Sequence, residues 1–231
     1  MKHVISLMLA FAAAITTEAQ TITLDMNGGA ETCYSVGDID YIDFTPDTGC
    51  VDLGLSVAWA KCNLGANSPN AYGQYYSWGE TDSKSIYADS TYVYSSLTPY
   101  GHSNFINIGS DIASSIHDAA TAALGGKWRM PTRAEMQELV DKCRWEWGRN
   151  GTRYGYTVTG PNGNSIFLPA GGYRDGSKTV SSQKTGYYWT STYGFNSDAY
   201  TLCFDNSGEE PVFIGNYLRW LGRTIRPVRG K

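Results

Sequence analysis

The segment Gly125-Gly126-Lys127-Trp128-Arg129-Met130-Pro131-Thr132-Arg133-Ala134-Glu135-Met136-Gln137-Glu138-Leu139 constrains this chain more than any other. Pro131 stops whatever precedes it and biases Met130 toward extended backbone. Thr132 with Glu135 three residues on makes a capping box, in which each side chain satisfies the other's orphan amide. Met136, Leu139, Val140 and Cys143 then recur at i, i+3, i+4 and i+7, which is one apolar helix face. The pattern predicts a short amphipathic helix over 132–143, docked on something flat and apolar.

The first residues read as an export leader. Lys2 supplies the positive start, Val4 to Ile15 form an apolar run, and Thr17-Glu18-Ala19 is a small-x-small cleavage site that leaves Gln20 as the new N-terminus. That run is too short to span a bilayer, which takes about 20 apolar residues. No other stretch is long and apolar enough, so no transmembrane segment is expected. No cysteine closely follows the run, which argues against a lipid anchor. The expected location is outside the cytoplasm, either secreted or at the cell surface or periplasm.

Net charge is −4, and Lys and Arg are scattered without a basic tract. Nucleic-acid binding therefore has no electrostatic support. Charged residues make up only 17%, whereas Gly (26), Tyr (17) and Trp (7) are abundant. Such a composition predicts a turn-rich, aromatic-rich surface suited to contact.

Residues 20–46 read as an appended β segment. Ile22, Leu24 and Met26 alternate, Asn27-Gly28-Gly29 turns the chain, and a second alternating stretch runs to Phe44, which is a hairpin signal. Asp38, Asp40 and Asp43 lack the glycine turn and distal Glu of a calcium loop and read as a solvated strand face. Pro46 to Gly49 form a short linker. The domain proper covers 50–229. Residues 51–62 read as one or two strands, and 63–110 as a long loop, a kind often used for function. Ile112, Ile116, Ala119, Ala120, Ala123 and Leu124 predict a first helix over about 115–124, ended by Gly125-Gly126.

After Cys143 the pattern turns to β. Trp145 and Trp147 share a strand face, Tyr154, Tyr156 and Val158 continue in period two, and Asn162-Gly163 turns into Ser165–Leu168. Further strands are predicted near 186–192, 198–205 and 223–229. Pro227 places the last at a sheet edge, or ends it there. Two helices followed by many short strands is an α+β layout.

Several of these stretches together resemble a bacterial secreted family, the Fibrobacter succinogenes major paralogous domain. It is related in fold to formylglycine-generating enzymes and C-type lectins. The resemblance rests on Trp-Arg-Met-Pro-Thr-x-x-Glu (Trp128, Arg129, Pro131, Thr132, Glu135), preceded by Asp118-Ala119-Ala120. It continues in Val51–Ala60, Cys62–Ala66, Tyr76–Thr81, Gly160–Ala170, Tyr188–Thr192 and Ile225–Arg229. It implies a C-type-lectin-like fold with two short helices, twisted antiparallel sheets, close chain ends and long loops on one exposed face. It also implies a buried Trp189 and a Cys62–Cys143 disulfide, which by loop entropy would contribute about 4.5 kcal/mol. The residues alone leave that pairing open. Cys33, Cys50, Cys62, Cys143 and Cys203 allow other pairs, Cys33–Cys50 among them, or small buried thiols.

The resemblance also suggests formylglycine-generating chemistry, which needs a cysteine pair in the C-terminal half. Only Cys203 lies beyond Cys143, so this activity is not expected. Calcium-dependent sugar binding is not expected either, because Glu209-Glu210-Pro211 lacks a following amide. His102 and His117 are the only histidines after the leader, and no Gly-x-Ser-x-Gly elbow is present. Gly171 to Thr179 has Ser177 where a phosphate loop needs lysine. No metal, cofactor or catalytic residue is expected.

The C-terminal third is crowded with aromatics, which stack on sugars or anchor interfaces. Residues 209–223 mix large apolar and charged residues without a clean period, which reads as a displayed surface rather than a core strand. The expected ligand-binding residues are Phe213, Asn216, Tyr217, Leu218, Trp220 and Leu221. The expected partner is a glycan or a cell-surface protein. Two alternatives remain: a hypervariable target of a diversity-generating retroelement, from the fold resemblance and the segment's position, and a structural subunit of a surface fibre, in which the 20–46 β segment pairs with a neighbour.

Overall fold

The computed structural model describes residues 3–6, 21–25, 31–35, 39–43, 49–97, 103–208 and 211–231, with backbone alone before residue 49. The expected cleavage site at 17–19, the Asn27-Gly28-Gly29 turn, Asp38, Pro46, His102 and the Glu209-Glu210 pair lie outside the described residues. The chain divides into two units, Met1–Gly49 and Cys50–Lys231. In the first, β1 (His3–Ser6), β2 (Thr21–Asp25), β3 (Glu31–Ser35) and β4 (Ile39–Asp43) pair as an antiparallel β2–β3 hairpin and a parallel β1–β4 ladder.

The second unit runs in chain order through β5 (Cys50–Asp52), β6 (Val57–Ala60), β7 (Ser95–Leu97), β8 (Ser103–Phe105), α1 (Ala119–Leu124), β9 (Trp128–Arg129), α2 (Arg133–Lys142), β10 (Arg144–Asn150), β11 (Arg153–Thr159) and β12 (Ser165–Pro169). It continues through β13 (Tyr173–Asp175), β14 (Lys178–Val180), β15 (Thr185–Tyr193), β16 (Asp198–Asp205), β17 (Val212–Leu218) and β18 (Val228–Gly230). This is a mixed α+β unit of two short helices and several small sheets. The larger sheets have the orders β10-β11-β12, β15-β16-β17 and β5-β6-β18-β9.

α2 forms where the capping box places it. The Thr132 hydroxyl accepts from the Glu135 amide at 3.2 Å, and the Glu135 carboxylate accepts from the Thr132 amide at 2.8 Å. Met136 and Leu139 are fully buried, each worth about 1.5–3 kcal/mol of transfer free energy. They dock on β15, β16 and β17 within a core that also holds Leu53, Trp59, Val158, Leu168, Tyr188, Leu202 and Phe204. A second core cluster gathers Leu64, Trp78, Ile112, Ala119, Ala120, Met130, Trp189 and Ile225. The 63–110 loop enters that cluster through its aromatics. The Tyr92 hydroxyl donates to the Trp78 carbonyl at 2.7 Å, and the Trp78 indole donates to Thr190 at 2.9 Å.

Four expectations need correction. α1 begins at Ala119, not near 115, and Ile116 is 85% exposed. The cause is Asp118, whose buried carboxylate takes the amides of Ala120 (2.9 Å) and Thr121 (3.1 Å) and so fixes the helix start. Pro227 does not mark an edge: β18 begins just after it and lies between β6 and β9. A proline at the strand's entrance needs no ladder N–H. Cys62 and Cys143 are free thiols, not a disulfide. Cys62 follows β6 beside the Arg226 guanidinium, whereas Cys143 ends α2 and packs on the first core cluster. The fourth is a strand that the irregular pattern of residues 209–223 did not show, at the edge of its sheet and with none of its residues fully buried. Val212–Leu218 is a regular strand paired with β16 along its whole length.

Candidate functional site

Strand alternation divides the expected C-terminal site. Phe213 and Tyr217 point to one face of β17, and Asn216 and Leu218 to the other. Of the six residues only Phe213 and Asn216 are exposed. Tyr217 packs on the second core cluster. Trp220 stacks on Phe105 with centroids 5.7 Å apart, and its carbonyl accepts from the Ser77 hydroxyl at 2.9 Å. Leu218 and Leu221 are half-buried. The structure does not bring the six together as one surface.

The 209–223 segment and the three residues after it supply three buried arginines, Arg219, Arg223 and Arg226. Arg226 is fully satisfied. Its Nε donates to Asn63 at 2.8 Å, Nη1 to the carbonyls of Ala60 (3.0 Å) and Lys61 (2.9 Å), and Nη2 to that of Phe167 (2.7 Å). Arg223 is caged instead by rings. Its guanidinium carbon lies 4.4 Å from the Tyr217 centroid, 4.6 Å from Tyr187, 4.9 Å from Trp189 and 5.6 Å from Tyr173. Its Nε and Nη1 have no hydrogen-bond partner, and burial pushes its pKa down to about 10. Arg219 sits among Phe105, Trp78, Tyr193 and Tyr92 at 5.0–5.7 Å. Cation–π attraction offsets part of the desolvation of both.

A larger concavity than the surroundings of these arginines lies elsewhere. A cleft of about 490 Å³ is lined by Trp147, Tyr154, Gln183, Lys184, Thr185, Asp205, Asn206 and Ser207. Its wall comes from the β10–β11 hairpin, where Trp147 and Tyr154 lie within 10° of parallel with centroids 6.1 Å apart. Arg149, opposite Tyr154 in the ladder, covers its ring at 5.2 Å. Tyr154 keeps 39% of its surface exposed. Gln183 is held in place by the Tyr154 amide (2.9 Å) and the Thr152 carbonyl (3.3 Å). Asp205 Oδ1 accepts from the Ser207 amide at 2.8 Å.

The cleft therefore offers an aromatic wall beside an amide, an ammonium, hydroxyls and one carboxylate. Glycoside hydrolysis in its usual form needs two carboxylates flanking the scissile bond, and among the described residues the lining holds one. Among the described residues no three His, Cys, Asp or Glu side chains converge as a metal site, and no helix is long and apolar enough to cross a membrane. Sequence reading placed Trp147 and Tyr154 on strands without singling them out. The signal was their period-two spacing across a two-residue turn, which brings alternate aromatics to one face. Comparison with protein-family models, curated proteins and solved structures finds no match to this chain.

Proposed function

We propose that this chain is an exported, non-catalytic recognition protein with a C-type-lectin-like fold that binds a glycan in the Trp147–Tyr154 cleft. The observation behind this reading is the parallel Trp147–Tyr154 pair with one ring open to the cleft. Aromatic faces receive the C–H face of a sugar, and neighbouring amides and hydroxyls bond its hydroxyl groups. The single carboxylate of the lining favours binding over hydrolysis. The leader-like start at Lys2 and Val4–Ile15 supports export. The lectin-like arrangement is supported by β18 lying beside β6, which joins the two ends of the second unit.

The experiment is a glycan array probed with the purified protein, with and without EDTA, beside Trp147→Ala and Tyr154→Ala. Binding that survives EDTA and drops about ten-fold or more in either variant is expected. Binding unaffected by both variants, or lost with EDTA alone, would overturn the reading.

A further inference from the structure

A second concavity differs in chemistry from the first. It measures about 260 Å³ and is lined by Phe105, Ile106, Asn107, Ser110, Tyr193, Asn196 and Arg219. That is small for a ligand pocket and suits one sugar ring or one residue rather than an extended chain. Arg219 is 1% exposed, yet among the described residues its guanidinium makes one hydrogen bond, a long 3.4 Å contact from Nη1 to the Ile106 carbonyl. Its Nε is buried without a partner.

A buried guanidinium is normally matched by a carboxylate or by carbonyls, as Arg226 is here. The nearby buried acid, Glu80, is already engaged. Its Oε2 pairs with Lys84 at 2.7 Å, and its Oε1 accepts from the Val93 amide at 3.0 Å. Four aromatic rings surround Arg219, and the hydroxyls of the two tyrosines among them are engaged elsewhere, with the Trp78 and Asn196 carbonyls. The cavity adjoins a buried guanidinium that no ion pair among the described residues answers.

The rest of the lining fits a hydroxyl-rich molecule. Asn107 spends its Oδ1 on the Gly109 amide at 2.9 Å, which turns its NH2 to other use. Asn196 holds a left-handed φ of 53°, which asparagine tolerates, and its carbonyl anchors the Tyr193 hydroxyl at 2.8 Å. Ser110 is exposed at the rim. We propose that this cavity binds an acidic monosaccharide unit, its carboxylate seated against Arg219 and its hydroxyls on Asn107, Ser110 and Asn196. A peptide's terminal carboxylate would meet the same arginine, but a cavity of about 260 Å³ with several polar groups around one ring-sized space suits the clustered hydroxyls of a sugar better than an extended backbone. The site is separate from the Trp147–Tyr154 cleft and does not depend on it.

The test titrates the purified protein with glucuronate, galacturonate and N-acetylneuraminate, with glucose and galactose as neutral controls and triglycine as a peptide control. Calorimetry reads affinity, and the NMR signal of the Arg219 Nε–H reads the site. At least one acidic sugar should bind about ten-fold or more tighter than its neutral counterpart and shift that signal. Arg219→Met should abolish binding. Asn196→Gly, which the left-handed φ permits, should weaken it about five-fold and keeps the test valid should Arg219→Met fail to fold. Neutral sugars binding equally well, triglycine alone shifting the signal, unchanged affinity in a folded Asn196→Gly, or no acidic sugar binding at about 10 mM would each overturn the proposal.

Discussion

Arg129 and Glu135 form a bidentate pair, with Nη1 to Oε2 at 2.8 Å and Nη2 to Oε1 at 2.5 Å. The same Oε2 accepts the Thr132 amide at 2.8 Å. One carboxylate thereby closes the α2 capping box and ties that helix to β9. Removing it leaves a largely buried guanidinium unpaired as well as an open helix start. Glu135→Ala should cost about 2–4 kcal/mol in urea unfolding, and Thr132→Ala about 1 kcal/mol. Equal losses in the two variants would show that the ion pair adds nothing to the cap.

Acid should weaken the fold through α2. Burial alone would raise the Glu138 pKa, but the Ser56 hydroxyl and Lys142 hold it down at about 2. Glu135 is likewise held low: burial acts to raise it, and Arg129 and the Thr132 amide outweigh that. Unfolded glutamates titrate near about 4.3. The stabilisation from both is therefore complete above that value and is lost as pH falls through the lower folded values. Urea midpoints should be level from neutral pH down to about 5 and then decline. Glu138→Gln should flatten the decline, and an unchanged slope would contradict this account.

Asp118 is a wholly buried hub. Its Oδ1 takes the amides of Ala120 and Thr121, and its Oδ2 takes those of Ser114 at 2.8 Å and Met130 at 3.0 Å. Asparagine would keep one oxygen and set an NH2 against two of these donors. Asp118→Asn should therefore cost about 2–4 kcal/mol, despite the near-identical shape. A loss below about 1 kcal/mol would show that water or relaxation satisfies the displaced amides.

Alkylation of the denatured, unreduced protein should label both Cys62 and Cys143, and a peptide linking the two would contradict the structure. In the native state Cys143 and Cys203 should react slowly at about pH 8. Burial pushes both thiols up to about 11, so little thiolate is present there.

Local signals were legible and distant partnerships were not. The capping box lies within four residues and specifies α2 almost to its ends. The Asn162-Gly163 turn is equally local and sits before β12, with Gly163 at a φ of 87°. The start of α1 was misjudged because Asp118 is fixed by Met130, twelve residues on. The arginines at 219, 223 and 226 look alike in sequence as charges in a mixed stretch. Their burial depends on Trp78, Tyr92 and Phe105 for one, on Tyr173 and Tyr187 for the next, and on Asn63 for the third. No period within 209–223 records those partners. Trp147 and Tyr154 were visible as strand residues, but the cleft they wall also needs Gln183, Lys184 and Asp205, which lie far along the chain.

The position of β18 makes one sheet depend on residues far apart in the chain. Arg226, just before it, holds the carbonyl of Ala60 across 166 residues of chain, and Val228 pairs with both Trp59 and Arg129. Without β18, β6 and β9 each lack a strand partner on the edge it fills. Only with residues 226–230 in place does the sheet close and the buried guanidinium find its carbonyls. A chain shortened before these few residues should therefore be less stable than the full unit, with two strand edges unpaired however much of the rest is present.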